Sequence, residues 1–351
     1  MATFYAKPEL TPERQDFYNR LAKLNSSPLW ESLARLIPPA PQSAAVPVLW
    51  RYADLRPMLL EAGKLITAKE GERRVLILEN PGLPGASQIT GSLYAGLQLV
   101  LPGEITPTHR HTMSAIRFIL ESSGGYTAVD GERTIMHAGD FILTPSWTYH
   151  DHGNPGDVPV VWLDGLDVPI VNLFDTSFAE RHPDERQPNT IAEGDALARY
   201  GANLLPVDYA PARLSSPIFN YPYSRSREAL EQLYRNGPVS ACHGVKMRYI
   251  NPLTGGCPMP TIGAFLQLLP RGFRGEPYRA TDATVYSVVE GTGRTRIGDR
   301  SFDWGPRDIF VAPSWCPVSH QADQTAVLFS FSDRPAQQAL GLWREEAPIR
   351  S

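Results

Sequence analysis

Gly139-Asp-Phe-Ile-Leu-Thr-Pro-Ser-Trp147 returns later in the chain as Pro306-Arg-Asp-Ile-Phe-Val-Ala-Pro-Ser-Trp315. Asp140 meets Asp308 and Trp147 meets Trp315, an offset of 168 residues. Working outward, Glu121-Ser-Ser-Gly124 matches Glu290-Gly-Thr-Gly293 at an offset of 169, so one residue has slipped between the blocks. Leu97-Gln-Leu-Val-Leu-Pro102 and Leu266-Gln-Leu-Leu-Pro270 carry the repeat upstream. Each copy reads as strand, turn, strand and an Asp-apolar-Pro-Ser-Trp ending. Self-similarity at a fixed separation marks a duplicated structural unit. Short β-branched and apolar runs bounded by Gly, Pro, Asn and Asp make that unit β. Two small barrels and an all-β fold are therefore expected.

The runs Val75–Leu78, Leu97–Leu101, Tyr126–Val129 and Phe141–Thr144 are strand candidates, and Asp130-Gly131 is a type I′ hairpin signal. Helices are expected in the first 40 or so residues. Thr11-Pro12-Glu13 supplies a cap with proline at the first helical position, and Ser27-Pro28 repeats the signal. Pro38-Pro39-Ala-Pro41 breaks that pattern, with 38–47 as a connector. Further helices are expected over 193–204, 226–236 and 335–345. The implied division is a helical segment over 1–63, a first barrel over 64–180, a connecting segment over 181–245 and a second barrel over 246–351.

The 351 residues suit two domains, and 42% hydrophobic with 20% charged is the composition of a globular enzyme. A net charge of -4 offers nucleic acid no basic footprint. No stretch reaches the roughly 20 apolar residues of a membrane span. Met1-Ala-Thr-Phe-Tyr5 lacks the basic segment and apolar core of a secretion signal. Cys242, Cys257 and Cys316 form no CxxC pair, so a reducing, cytoplasmic setting is expected.

Four of the eight histidines fall in the first repeat: His109, His111, His150 and His152. Alternate residues of a strand share a face, so each His-x-His pair projects one way. Two such pairs on antiparallel strands can converge on one metal ion. Imidazole ligands suit iron, zinc, copper or nickel better than magnesium or calcium. A single pair would read as surface decoration; two in one unit, flanked by Gly103 and Asn154, do not. On spacing alone His150 and His152 could exchange roles. The second repeat has Tyr278, Ala280 and Val318 where the first has His109, His111 and His150, and only His320 survives, matching His152. It can hold no such metal.

Gly103-x5-His109-x-His111 and the Gly131-x5-His137-x-Gly139, His150-x3-Asn154 series resemble the two motifs of the cupin superfamily. The fold this implies is a bicupin, two double-stranded β-helix barrels. Metal cupins commonly place a glutamate four or five residues after the second histidine; Ala115 and Ile116 stand there. The resemblance implies three neutral ligands, His109, His111 and His150, with His152 beside them. Such a site keeps its full +2 charge and leaves positions for an anionic chelate and dioxygen, which needs a redox metal, so Fe(II) is expected rather than zinc.

Leu93–Gln98, His109–Thr112 with Ala115–Phe118, Tyr126–Arg133, Pro145–Asn154 and Trp162–Asp167 resemble gentisate 1,2-dioxygenases and the related salicylate and hydroxynaphthoate ring-cleaving enzymes. So do Tyr200–Asn203, Ser216–Phe219 and Asp282–Tyr286. That resemblance implies roles. Arg117 faces the substrate carboxylate, with Arg73 and Gln98 helping to hold it. His152 lies near the phenolate, Asp164 near the 5-hydroxyl of gentisate, and Tyr94 lines the pocket. The plain alternatives are a surface salt bridge for Arg117, a turn residue before Gly165 for Asp164, and Arg74 rather than Arg73 as the inward arginine. The implied activity is Fe(II)-dependent opening of gentisate between C1 and C2 with O2 to give maleylpyruvate, in a homotetramer. The alternatives are the same chemistry on salicylate or its 5-nitro and 5-chloro derivatives, a cupin isomerase or decarboxylase, and a non-enzymatic bicupin.

Overall fold

The computed structural model of the protein describes residues 9–208 and 214–348; the helical expectation for residues 1–8 lies outside them. Residues Met1–Gln42 form one compact unit and Ser43–Ser351 another. In the first, helix Pro12–Lys23 begins where Thr11 caps the Arg14 N–H, and helix Leu29–Leu36 follows. The Tyr18 hydroxyl joins the two, donating to Glu31 at 2.9 Å and accepting from the Trp30 indole at 2.8 Å.

The second unit is built from antiparallel sheets. The first barrel pairs a six-stranded sheet, ordered Asn220–Tyr221, Phe141–Thr144, Ala115–Glu121, Val160–Leu166, Tyr94–Val100, Val75–Ile77, with a five-stranded one. The latter runs Ala179–Arg181, Ile105–His111, His150–Gly153, Tyr126–Val129, Glu132–Ile135. The Asp130-Gly131 turn between the last two strands has φ of 47° and 86°, both positive as a type I′ turn requires. The second barrel repeats the plan with a six-stranded sheet from Val48–Trp50 to Val245–Arg248 and a four-stranded one. No described helix is long and apolar enough to cross a membrane.

The repeat seen in sequence is repeated in backbone detail. Trp147 and Trp315 both take left-handed φ, 62° and 63°. Their N–H groups donate to the carbonyls of His111 and Ala280, at 2.8 and 2.7 Å. The landmark acids have a further job. Tyr52, the first residue of helix Tyr52–Leu65, gives its N–H to Asp308 of the second barrel and its hydroxyl to Glu121 of the first, both at 2.9 Å. Tyr223, the first residue of helix Tyr223–Asn236, reverses this: its N–H goes to Asp140 and its hydroxyl to Glu290. Arg56 and Arg227 bind the same two glutamates. The short strands ahead of the helices also cross over, Val48–Trp50 to Ile309–Val311 and Asn220–Tyr221 to Phe141–Ile142. Each barrel thus receives an edge strand from a segment whose helix reaches the other.

The two six-stranded sheets share one core. Phe118 stacks on Phe329 with centroids 4.1 Å apart, and Gly165 has no side chain where the Phe331 ring would lie 2.6 Å from a Cβ. Phe329→Ala removes a fully buried ring and is expected to cost about 3–5 kcal/mol, read as a lower urea midpoint with secondary structure retained. Three helix expectations shift. The helix expected over 193–204 is Asp195–Tyr200, and that expected over 226–236 starts earlier, at Tyr223. The closing helix is Arg334–Ala339 rather than 335–345, because Gly341 turns at φ 72° and the chain enters strand Glu345–Glu346.

Candidate metal centre

Strand Ile105–His111 pairs with His150–Gly153 so that His109 faces His150 and Thr106 faces His152. The register shifts between Thr106 and His109, where Pro107 has no N–H for the ladder. Such a bulge re-aims the side chains that follow it. On the outer face of this strand Arg110 lies over the rings of Trp147 and Tyr149, at 4.4 and 4.6 Å, and pairs with Glu180. Arg279, Trp315 and Glu346 repeat that clamp in the second barrel, so it belongs to the barrel framework and not to the metal chemistry.

The inward histidines converge. Ligand atoms of His109, His111 and His150 all lie within 4.8 Å of one another. In each ring Nδ1 faces a backbone carbonyl: Pro107 at 3.3 Å, Met113 at 2.8 Å and Thr148 at 3.0 Å. A carbonyl only accepts, so in His111 and His150 Nδ1 carries the proton and Nε2 keeps the lone pair that a metal requires, while His109 Nδ1 also lies against the Arg73 guanidinium. Burial holds the rings neutral, taking His109 down to about 2, His111 to about 4 and His150 well below its usual value. A cation already stands at this wall: Arg73 Nη2 is 3.1 Å from His109 Nε2. Ala115 and Ile116 are buried in the neighbouring strand and add no carboxylate. The residues present therefore fit a divalent metal ion held by three neutral imidazoles. His152 lies outside this group, its ring 5.8 Å from His150 and 5.1 Å from Trp162.

The opposite wall comes from three adjacent strands. Gln98 pairs with Trp162, and Asp164 pairs with both Gly96 and Arg117, so Gln98, Trp162, Asp164 and Arg117 share the inward face. Arg117 is 4% exposed, donates to the Thr144 hydroxyl and sits 3.6 Å from Asp164; it is not a surface residue. Asp164 lies within strand Val160–Leu166 rather than in a turn, and accepts from the Trp162 indole at 2.8 Å. Burial raises its carboxyl to about 6 against the pull of Arg117. Tyr94 is half-buried on the same face, its phenol pushed up by burial and by Asp164. Arg73 and Arg74 part company: Arg73 reaches the Pro107 carbonyl and His109, whereas Arg74 is committed to Glu104 and the carbonyls of Gly63 and Ile66.

Between the walls, Gln98 Nε2, Arg117 Nε and both ring nitrogens of His152 are buried with no hydrogen-bond partner. Buried polar atoms are seldom left so. Their grouping opposite the triad is what a polar ligand would satisfy. A cavity of about 750 Å³, bordered by Arg73, Pro107, His109 and Arg181, leads in from the surface. Two contributors were not anticipated, Trp162 and Thr144. Trp162 was legible, since it precedes Asp164 by two residues and so shares its strand face. Thr144 was not, because its contact with Arg117 depends on strand register.

The buried histidines carry a pH signature. His109, His111, His150, His152, His243 and His320 are all held below the usual value, chiefly by burial. The unfolded chain takes up those protons near pH 6.5 and the folded chain refuses them, so stability of the metal-free protein is expected to fall as pH drops below about 6.5. Within the site Asp164 opposes this by one proton, because its folded value is the higher one. Urea midpoints at pH 7.5 and 5.5 test the sign.

Comparison with known proteins agrees with this geometry. The cupin domain family matches residues 96–167. A gentisate 1,2-dioxygenase of Aquipseudomonas alcaligenes is 59% identical, over 98% of this chain and 99% of its own. A 5-aminosalicylate 1,2-dioxygenase of Comamonas is 38% identical, over 93% of this chain and 88% of its own. The solved structure of a glycine-to-alanine variant of salicylate 1,2-dioxygenase from Pseudoaminobacter salicylatoxidans, in complex with gentisate, superposes with a TM-score of 0.92. It is 33% identical, with 98% of this chain and 97% of that one covered. With that identity over nearly the whole of both chains, a duplicated barrel and a glutamate-free histidine triad in the first copy, the chain belongs to the gentisate 1,2-dioxygenase family of bicupin enzymes.

Proposed function

We propose that this protein is an iron(II)-dependent dioxygenase that opens gentisate between C1 and C2, both atoms of O2 entering maleylpyruvate. The observation that carries this is the pairing of three neutral imidazoles with a buried wall of unsatisfied donors. His109, His111 and His150 would hold the metal through Nε2. Iron(II), when bound, supplies the redox chemistry that lets triplet dioxygen react with a closed-shell ring. Arg117 meets the substrate carboxylate with charge-assisted hydrogen bonds, helped by Arg73 and Gln98. His152, neutral and unpartnered, offers one ring nitrogen to the phenolic oxygen and can hold or release a proton there. Asp164 takes the 5-hydroxyl, and Tyr94 closes that side of the ring. Trp162 keeps Asp164 turned inward and covers His152, which excludes water from the donors.

The division into 1–63, 64–180, 181–245 and 246–351 is retained as a working scheme, with the second barrel serving as scaffold and subunit interface of a cytoplasmic homotetramer. Leu340 and Leu342 of the second barrel, at 64% and 59% exposure, are apolar surface that a second copy would cover.

Oxygen uptake by anaerobically iron-loaded protein, offered gentisate, salicylate and 5-nitro- and 5-chlorosalicylate in parallel, tests the reading. Gentisate is expected to lead. Asp164→Asn is expected to reduce gentisate turnover about 10–100-fold, the loss of one buried hydrogen bond to a charged group, while touching salicylate far less. Uptake with a nitro- or chlorosalicylate ahead of gentisate would keep the chemistry and overturn the substrate. No uptake with any of them, on protein shown to hold iron, would overturn the reading.

A further inference from the structure

Behind the triad, on the outer face of its two strands, lies a buried group of polar side chains. Thr106 faces His152 and His109 faces His150, so Pro107 and Thr108 together stand opposite the single residue Asp151. Two residues against one is a β-bulge. Both backbone groups of Thr108 turn away from Asp151. Its N–H donates to the Glu185 carbonyl and its carbonyl accepts from the His182 N–H, each at 3.0 Å. Pro107 has no N–H to offer. The backbone ladder therefore lapses at the point from which His109 and His111 are aimed.

Side chains close that gap. The Thr108 hydroxyl lies 3.1 Å from Asp151 Oδ2 and 3.1 Å from the Glu185 carbonyl. The carboxylate is the stronger acceptor and takes the proton. Gln187 gives its backbone N–H and its side-chain amide to the same oxygen, at 3.4 and 3.1 Å. The rest of that amide is committed to the hairpin next to the His150 strand. Nε2 donates to the Ala128 carbonyl at 3.0 Å, and Oε1 accepts from the Gly131 N–H at 2.8 Å. Thr108, Asp151 and Gln187 are all buried. Thr108 adjoins the ligand His109 and Asp151 adjoins the ligand His150, so one carboxylate oxygen ties the two metal strands together.

The second barrel supplies the comparison. It builds the same bulge: the Gly275 N–H donates to the His320 carbonyl at 2.8 Å and Tyr278 pairs with Val318, which leaves Glu276 and Pro277 opposite Ser319. Pro277 has no hydroxyl to give, and Ser319 has no carboxylate to receive one. The Arg110 clamp is present in both barrels, whereas this lock is present only beside the histidines. The bulge thus folds without the lock. Holding three imidazoles on one ion is more demanding, to within about 0.5 Å.

We propose that Thr108, Asp151 and Gln187 are positioning residues of the metal centre, their shared carboxylate oxygen fixing the bulge so that His109 and His150 stay aimed at one ion. This rests on the three-histidine reading of that centre and adds the support that keeps it in register.

Iron(II) affinity, measured anaerobically on the full-length protein by competition with a chromophoric chelator, tests this without turnover. Thr108→Val keeps the shape of the side chain and removes its hydroxyl. It is expected to weaken iron(II) binding about ten-fold, the lower end of what losing the outer support of a metal ligand costs. Asp151→Ala should do at least as much. Thr108→Ser and Asp151→Asn should restore the affinity, since they keep the hydroxyl and one acceptor oxygen. The visible bands of the cobalt(II)-substituted protein should shift in the two weakened variants and return in the two conservative ones, because such bands follow ligand geometry. Arg110→Gln breaks the clamp that both barrels share, and should lower the urea midpoint with iron(II) affinity unchanged. Wild-type affinity and cobalt bands in Thr108→Val, or an equal loss of affinity in Arg110→Gln, would overturn the proposal and leave the triad standing. Wild-type protein that binds no iron(II) would overturn the triad, and the proposal with it.

Discussion

His111→Ala is expected to abolish ring opening, with a loss of at least about a thousand-fold in kcat. The proposed ligand it removes would hold a metal whose contribution to such chemistry is several kcal/mol, and each 1.36 kcal/mol is a factor of ten. Metal content per subunit should fall in parallel, measured on protein purified and reconstituted alongside wild type. The fold should persist. His111 sits at the end of its strand and is only part-buried, and its Nδ1 bonds locally to Met113. Unchanged far-ultraviolet circular dichroism together with lost iron separates this outcome from misfolding. Normal turnover by His111→Ala would sink the metal-centre reading altogether.

Arg117→Gln comes second in expected effect. The side chain is buried, donates to the Thr144 hydroxyl and turns its Nε towards Asp164 at 3.6 Å, where that Nε makes no hydrogen bond. Cutting one partner from a buried, hydrogen-bonded charge pair costs about 2–5 kcal/mol. A fall in kcat/KM of roughly 30- to 5000-fold is therefore expected, the same energy converted at 1.36 kcal/mol per decade. Much of it should appear as raised KM, since a carboxylate is bound in ground and transition states alike. A second consequence concerns Asp164. Arg117 pulls its carboxyl downward, so the variant should titrate Asp164 higher still. Lysine is not expected to rescue, because a point charge cannot reproduce the planar fork that spans Thr144, Asp164 and a ligand carboxylate. A variant with wild-type kcat/KM would return Arg117 to a structural role.

The crossing helices show where sequence reading stopped short. Tyr52-x3-Arg56-x2-Leu59 and Tyr223-x3-Arg227-x2-Leu230 are a further copy of the repeat, with Leu59 and Leu230 both fully buried. Tyr52 to Leu59 were legible only as part of the helical segment over 1–63, Arg227 and Leu230 only as part of the helix expected over 226–236, and Tyr223 lay outside it. Their partners, Glu121 and Asp308 for one, Asp140 and Glu290 for the other, stand far away in the chain, and no local periodicity links them. Phe118 and Phe329 are a similar case: each looks like an ordinary core residue until two sheets meet across them.

By itself the sequence determined the duplication, the β character of both copies and the loss of metal ligands from the second. It also determined that two His-x-His pairs would each present one strand face. These follow from local rules: turn chemistry at Asp130-Gly131, the alternation of side chains along a strand, and residue identities repeated at a constant offset. Tertiary structure alone decided the rest. The pairing of His109 with His150 brings His150, and not His152, into the triad. The pairing of Asp164 with Arg117 and of Gln98 with Trp162 assembles the facing wall. Which strand lies beside which, and in what register, is settled by burial across whole sheets. A slip of one residue would turn every one of these side chains to the opposite face.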